Sequence, residues 1–169
     1  MTATNENEVL ERVENLVKHF SEGGTLGTML QIGDEELEAI YAVAYSQYNA
    51  RKYDKAIDLF KFLCLYDHNE ARWFYGLGVA QQAKREYAAA VNSYAVATLL
   101  DVDDPRPQTQ AGYCLLALER WQEAQSALEG ALMACGQQAE FADIRRQAEA
   151  LLTNAKAKNP AETGKKGEK

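Results

Sequence analysis

The sequence predicts an all-α fold, a solenoid of stacked helix pairs, and three observations carry that prediction. A thirty-four-residue period recurs three times without insertion, over windows 37–70, 71–104 and 105–138. Apolar residues at helical spacing flank the windows on both sides. The composition fits as well: 47% hydrophobic and 25% charged residues describe a globular chain, and 169 residues suffice for one domain with a buried core.

Aligned in register, the windows agree column by column. The eighth position is Ala44, Gly78 and Gly112, small each time, as close approach of two helices requires. The twentieth is Ala56, Ala90 and Ala124, where the second helix presses on the first. Aromatic Tyr53, Tyr87 and Trp121 fill the seventeenth, Phe60, Tyr94 and Leu128 the twenty-fourth, and Leu63, Ala97 and Ala131 the twenty-seventh. The turns "ARKYD", "AKREY" and "LERWQ" separate the two helices of each unit. This pattern resembles the tetratricopeptide repeat, and it covers about 102 of the 169 residues. One departure stands out: the proline usual near position thirty-two is replaced by His68, Val102 and Gly136. The helix ends must then rely on other breakers, with 67–69 and 101–107 as candidates.

Upstream, Val9, Val13, Leu16, Val17 and Phe20 form an apolar stripe on a first helix that Gly23 and Gly24 end. Downstream, Phe141, Ile144, Ala148 and Leu151 repeat the period and predict a helix that caps the last repeat. The expected organisation is an N-terminal helix and turn over 1–24, the repeats with their cap over 25–152, and a disordered tail over 153–169. The tail sequence "KAKNPAETGKKGEK" is rich in Lys, Gly and Pro and poor in apolar residues. About eight helices follow.

Several function classes are excluded on composition and motif. With 18 basic against 25 acidic residues the net charge is −7, and no basic patch offers a nucleic-acid backbone a partner. The N-terminus lacks an apolar run of signal or membrane-span length, so the protein is expected to stay where it is made, away from membranes. Cys64, Cys114 and Cys135, odd in number and without CxxC spacing, are expected to be small core hydrophobes and not disulfides or zinc ligands. His19 and His68, expected at the surface and in a turn, have neither metal-pair spacing nor a nucleophile partner, so no enzyme is predicted. The stretch "GGTLGTML" lacks the lysine of a phosphate loop, and its glycines are expected to turn the chain; no cofactor is implied.

In tetratricopeptide arrays the first helix of each pair lines a concave side, with positions two, five, nine and twelve facing a groove. The resemblance therefore places Tyr41, Tyr45 and Tyr48 in the groove, followed by Arg72, Tyr75, Val79 and Gln82, then Arg106, Thr109, Tyr113 and Leu116. Ile40, Val43 and Ala44 are left to pack inward, and the two arginines are expected to edge the groove with positive charge. Such an amphipathic aromatic wall suits an extended peptide, because tyrosine offers large contact area and a hydroxyl while ordering only two torsions. Each apolar anchor buried there contributes about 1.5–3 kcal/mol. Two alternatives stay open at this point. The N-terminal helix could fold back and cover the tyrosines, or the groove could serve a generic adaptor for another peptide. A clamp for a terminal carboxylate is the wrong chemistry, since Tyr41 and Tyr45 occupy the positions where lysine and asparagine are needed.

A narrower resemblance is carried by "GGTL" after the first helix, "YAVAYSQY" opening the first repeat, "FKFLCLYDH" closing it, "GLG" in the second, then "SYAVATLLDVDDPRP" and "AGYCLLAL". Over roughly residues 15–155 the chain resembles the class II chaperones of bacterial type III secretion systems. That resemblance implies a cytoplasmic bacterial chaperone that holds hydrophobic translocator proteins soluble and apart until export, with an extended client segment in the groove. It implies further a weak homodimer through the stripe from Val9 to Phe20, although that stripe equally suits packing within one chain. For some members it implies a role beside an AraC-type transcription activator.

Overall fold

The computed structural model describes residues 3–159, with side chains from Leu10 onward, and among these residues it forms nine α-helices, one 3₁₀ turn and no strand. The helices are α1 (Ala3–Ser21), α2 (Leu26–Leu30), α3 (Asp34–Asn49), α4 (Tyr53–Tyr66), α5 (Ala71–Ala83), α6 (Tyr87–Leu100), α7 (Pro105–Ala117), α8 (Trp121–Cys135) and α9 (Ala142–Lys158). From α3 to α9 each helix packs on the next, and α9 also reaches α7. The pairs α3/α4, α5/α6 and α7/α8 are the three repeats.

Local chemistry explains where these helices begin and end. Glu70 and Asp104 cap α5 and α7 by accepting from the backbone N–H of Arg72 and Arg106, and Pro105 opens α7 where no N–H partner is needed. The missing prolines are replaced by aspartate turns: Asp67 Oδ1 accepts from the Asn69 N–H at 3.0 Å, and Asp101 Oδ1 from Asp103 at 3.3 Å. After α8, Gly136 stands at φ 47°, and the Arg145 guanidinium donates to the carbonyl oxygens of Gly136 and Gln138 at 2.8 and 3.1 Å. The Gln138 carbonyl also accepts from the Phe141 N–H at 3.3 Å, so the arginine ties the end of α8 to the turn that follows it.

The turn inside each repeat has its own rule. Arg51, Arg85 and Glu119, all at position fifteen, adopt left-handed backbone with φ of 58°, 67° and 59°. Side-chain Cβ crowding makes this conformation cost about 1–2 kcal/mol for a residue other than glycine. Glu119→Gly is therefore expected to stabilise the fold by about 1 kcal/mol, seen as a higher urea midpoint at unchanged slope. An unchanged midpoint would mean that the turn carries no such strain.

The core follows the repeat columns. Ala44, Ala56, Ala90, Ala97, Ala124 and Ala131 are fully buried, as are Tyr94 and Leu128, with Phe60 nearly so. Within a repeat, position eight carries position twenty-four. A Cβ added at Gly78 would lie 2.6 Å from Tyr94 Cε1, and one at Gly112 would lie 2.5 Å from Leu128 Cγ. Cys114 and Cys135 are buried as expected, while Cys64 is half-buried beside the first repeat's core. Burial pushes the thiols of Cys64 and Cys114 up to about 12.

Four expectations are corrected. Val43 does not pack inward: it is half-exposed, because α1 and α2 do not stack on α3 to cover it. The capping helix runs to Lys158, past the boundary at 152, with Ala155 buried and the Lys158 ammonium 5.3 Å from the Trp121 ring. The remainder of the expected tail, 160–169, lies outside the described residues. Nine helices replace eight because "GGTLGTML" folds an extra turn, α2, closed by a reciprocal Thr25–Thr28 capping box. His19 is not a free surface side chain: its Nε2 lies 3.0 Å from the Thr25 carbonyl and 3.2 Å from Thr28 Oγ1, with the ring against Gly24. His68 is exposed in its turn, as expected.

Candidate functional site

The first helices of the three repeats, α3, α5 and α7, stand side by side and line one face. Two adjoining hollows open there, and Tyr75 belongs to both. The first, about 510 Å³, is walled by Tyr41, Tyr45, Tyr75 and Pro107, with Glu70, Arg72, Asp101, Asp104 and Arg106 at its rim. The second, about 400 Å³, is lined by Tyr48, Tyr75, Val79, Gln82, Ala83, Tyr94, Gln110 and Tyr113.

An aromatic ladder runs down α3. Tyr41 and Tyr45 lie 6.4 Å apart by ring centroid, Tyr45 and Tyr48 6.2 Å, and Tyr48 and Tyr53 5.8 Å. Its members differ in burial. Tyr45 is 52% exposed, whereas Tyr41 and Tyr48 are half-buried against the first repeat's core. Tyr41 touches Trp73 at 5.1 Å and Phe60 at 5.9 Å, so it serves the core and the groove at once. Desolvation raises the hydroxyl pKa of Tyr41 and of Tyr75, which keeps both neutral across the physiological range.

Charge at the rim is paired, which corrects the expected positive edge. Arg72 donates to Glu38 at 2.6 Å and to Glu70 at 3.1 Å, while its guanidinium lies 4.9 Å from the Trp73 ring and 5.8 Å from Tyr41. Arg106 donates to its own cap Asp104 at 2.8 Å and covers the Tyr75 ring at 5.5 Å. Burial raises the Glu70 pKa, but the hydrogen bonds from Arg72 outweigh it and hold the carboxyl below its ordinary value. Both arginines therefore act as lids on tyrosine faces and offer little free charge to a ligand.

Two more groove expectations fail. Thr109 is fully buried, its hydroxyl donating to the Pro105 carbonyl at 2.8 Å, and so faces its own helix. Leu116 packs against the third repeat's core and lines neither hollow. Conversely, Tyr94, Gln110 and Pro107 line the site although none stands at an expected groove position. Tyr94 had been assigned only to packing, yet its hydroxyl reaches the floor of the second hollow and donates to Gln82 Oε1 at 2.7 Å. The N-terminal helix does not cover the tyrosines. It meets the body at the α1–α2 turn, through His19 and through Phe20 beside His68, at 6.3 Å between rings.

The tetratricopeptide repeat model matches residues 37–70 and 74–104. The chain is 34% identical over 140 residues, 83% of each chain, to the Low calcium response locus protein H of Yersinia pestis. It belongs to the class II type III secretion chaperone family. The fold agrees along nearly the whole chain with a type III secretion complex from Aeromonas hydrophila. That match has a TM-score of 0.83 at 32% identity, covering 92% of this chain and 99% of the other. The Yersinia enterocolitica translocator chaperone SycD, solved with a peptide of the translocator YopD, superposes at 0.72 with 34% identity over 75% of this chain and 97% of its own. SycD is also known in an alternative dimer.

In this class II chaperone, α1 keeps its apolar stripe bare. Leu10, Val13, Leu16, Val17 and Phe20 are between 40% and 63% exposed, and the side chain of Val9 lies outside the described residues. Among the described residues no helix is long and apolar enough to cross a membrane, and no cluster of three or more His, Cys, Asp or Glu side chains could hold a metal ion.

Proposed function

We propose that this chaperone binds hydrophobic translocator proteins of a type III secretion system in the bacterial cytoplasm by taking an extended client segment into the groove of α3, α5 and α7. The observation that carries the proposal is the pair of adjoining hollows walled by tyrosines at repeat-spaced positions, with rim charges already neutralised within the chain. An extended segment with spaced apolar side chains fits that surface, because apolar walls reward anchors while hydroxyls and amides satisfy its backbone. That SycD is solved in complex with a peptide of the translocator YopD supports a client held through a peptide segment. Covering a client's apolar segments in this way keeps it from aggregating or inserting early. The role is binding, without catalysis.

Affinity purification of the full chain from its source bacterium, followed by mass spectrometry, tests this. Membrane-active secretion substrates are expected to co-purify. Recovery of other partners in their absence would overturn the assignment and favour a generic adaptor.

The bare stripe on α1 supports a weak homodimer through that helix. Val13→Asp with Val17→Asp is expected to leave helicity intact and shift the chain to monomer by sedimentation velocity, since two charges on a buried face are strongly disfavoured. A dimer that survives both changes is built on another surface.

A further inference from the structure

We propose that the second hollow is a polar station that selects a carboxamide, an Asn or Gln side chain, in the bound segment, whereas the first takes an apolar anchor. The inference rests on the peptide-groove function given above and assigns a specificity to one part of it. Three hydrogen bonds fix the floor. Gln82 Oε1 accepts from the Tyr94 hydroxyl at 2.7 Å and from the Cys114 thiol at 3.4 Å, and Gln82 Nε2 donates to Gln110 Oε1 at 3.1 Å.

The donor and acceptor inventory then decides the chemistry. A glutamine side chain carries two N–H donors and two acceptor lone pairs. Both lone pairs of Gln82 are engaged, and one of its N–H groups is. The bond to Gln82 engages one lone pair of Gln110. These bonds leave one N–H of Gln82, the amino group of Gln110 and one lone pair of Gln110 unengaged, on side chains that line the hollow beside Tyr48, Tyr75 and Tyr113. Donors and an acceptor side by side complement a carboxamide, which presents the same groups in reverse. An aliphatic anchor there would meet Val79 and the rings of Tyr48, Tyr75 and Tyr113, but it would strip water from these amides and leave them without partners. A carboxylate would find donors but no cation among the residues lining this hollow. Tyr94 is a positioning residue: its ring is locked against Gly78, and its hydroxyl fixes which way the Gln82 amide points.

The test uses the full-length protein and a positional-scanning library of extended peptides. Each peptide holds one leucine for the first hollow, and every side chain is scanned at the flanking positions. The wild type is expected to favour Asn or Gln over Leu at one scanned position by about three- to tenfold, the worth of one partly solvated hydrogen bond. Gln82→Leu with Gln110→Leu is expected to reverse that preference, and Gln110→Leu alone to weaken it should the pair fail to fold. Tyr94→Phe keeps the ring and is expected to reduce the discrimination while binding through the leucine persists. An identical preference in the wild type and the folded Gln variants overturns the station. The groove itself is tested separately with Tyr45→Ala plus Tyr113→Ala: if library binding survives that pair, the groove assignment falls and the station with it.

Discussion

Replacing Tyr45 and Tyr113 by alanine is expected to weaken client binding about a hundredfold or more while leaving the fold intact. The two side chains are 52% and 41% exposed, so their loss opens no core cavity. Each offers a groove ligand a large apolar face, and burying such a face contributes about 1.5–3 kcal/mol, roughly ten- to a hundredfold per residue. They stand at opposite ends of the double hollow, Tyr45 in the first and Tyr113 in the second, so a segment spanning both meets each. Tyr41 and Tyr48 are poorer probes, because Tyr41 packs on Trp73 and Phe60 and Tyr48 on the same core, and their removal would confound binding with stability. Fluorescence anisotropy with the segment of the co-purified client, beside thermal melts, separates the two. Affinity within threefold of the wild type in a folded double variant would place the client elsewhere.

The parts of this molecule that were legible in sequence are those fixed by pairs recurring at one spacing. Small residues at position eight and large ones at twenty-four are visible because both members of the contact repeat, and the structure places Tyr94 on Gly78 and Leu128 on Gly112 accordingly. The ion pair between Glu38 and Arg72 was legible in the same way, since both stand at position two of consecutive windows, thirty-four residues apart. Within either window position two shows a single charge, and its partner stands one repeat away. The left-handed turns at Arg51, Arg85 and Glu119 carry no sequence mark, because neither glycine nor asparagine occupies them.

Thr109 failed for a different reason. Register places it beside Tyr41 and Tyr75, but a short hydroxyl can satisfy itself on the Pro105 carbonyl and disappear between helices, as a tyrosine cannot. The floor of the second hollow was hidden because it depends on a dual role. A side chain assigned to packing by its ring can still deliver a hydroxyl to a site, and only the three-dimensional path of Tyr94 shows that it does.

That dual role makes Tyr94 the most consequential position in the chain. Tyr94→Ala is expected to destabilise the protein by about 3–5 kcal/mol, the range for deleting a fully buried aromatic ring, and to lower the urea midpoint accordingly. Gly78 sharpens the prediction. In the wild type, Gly78→Ala would bring a Cβ to 2.6 Å from a rigid ring, and the strain should outweigh the roughly 1 kcal/mol that alanine gains over glycine inside a helix. In the Tyr94→Ala background the ring is gone and the same methyl enters empty space, so Gly78→Ala should become stabilising. The sign of one substitution is thus expected to invert with its neighbour, giving a coupling of about 1–3 kcal/mol in a double-mutant cycle. Additive effects would mean that α5 and α6 slide to absorb the methyl. Position eight would then be small for some reason other than the ring it carries.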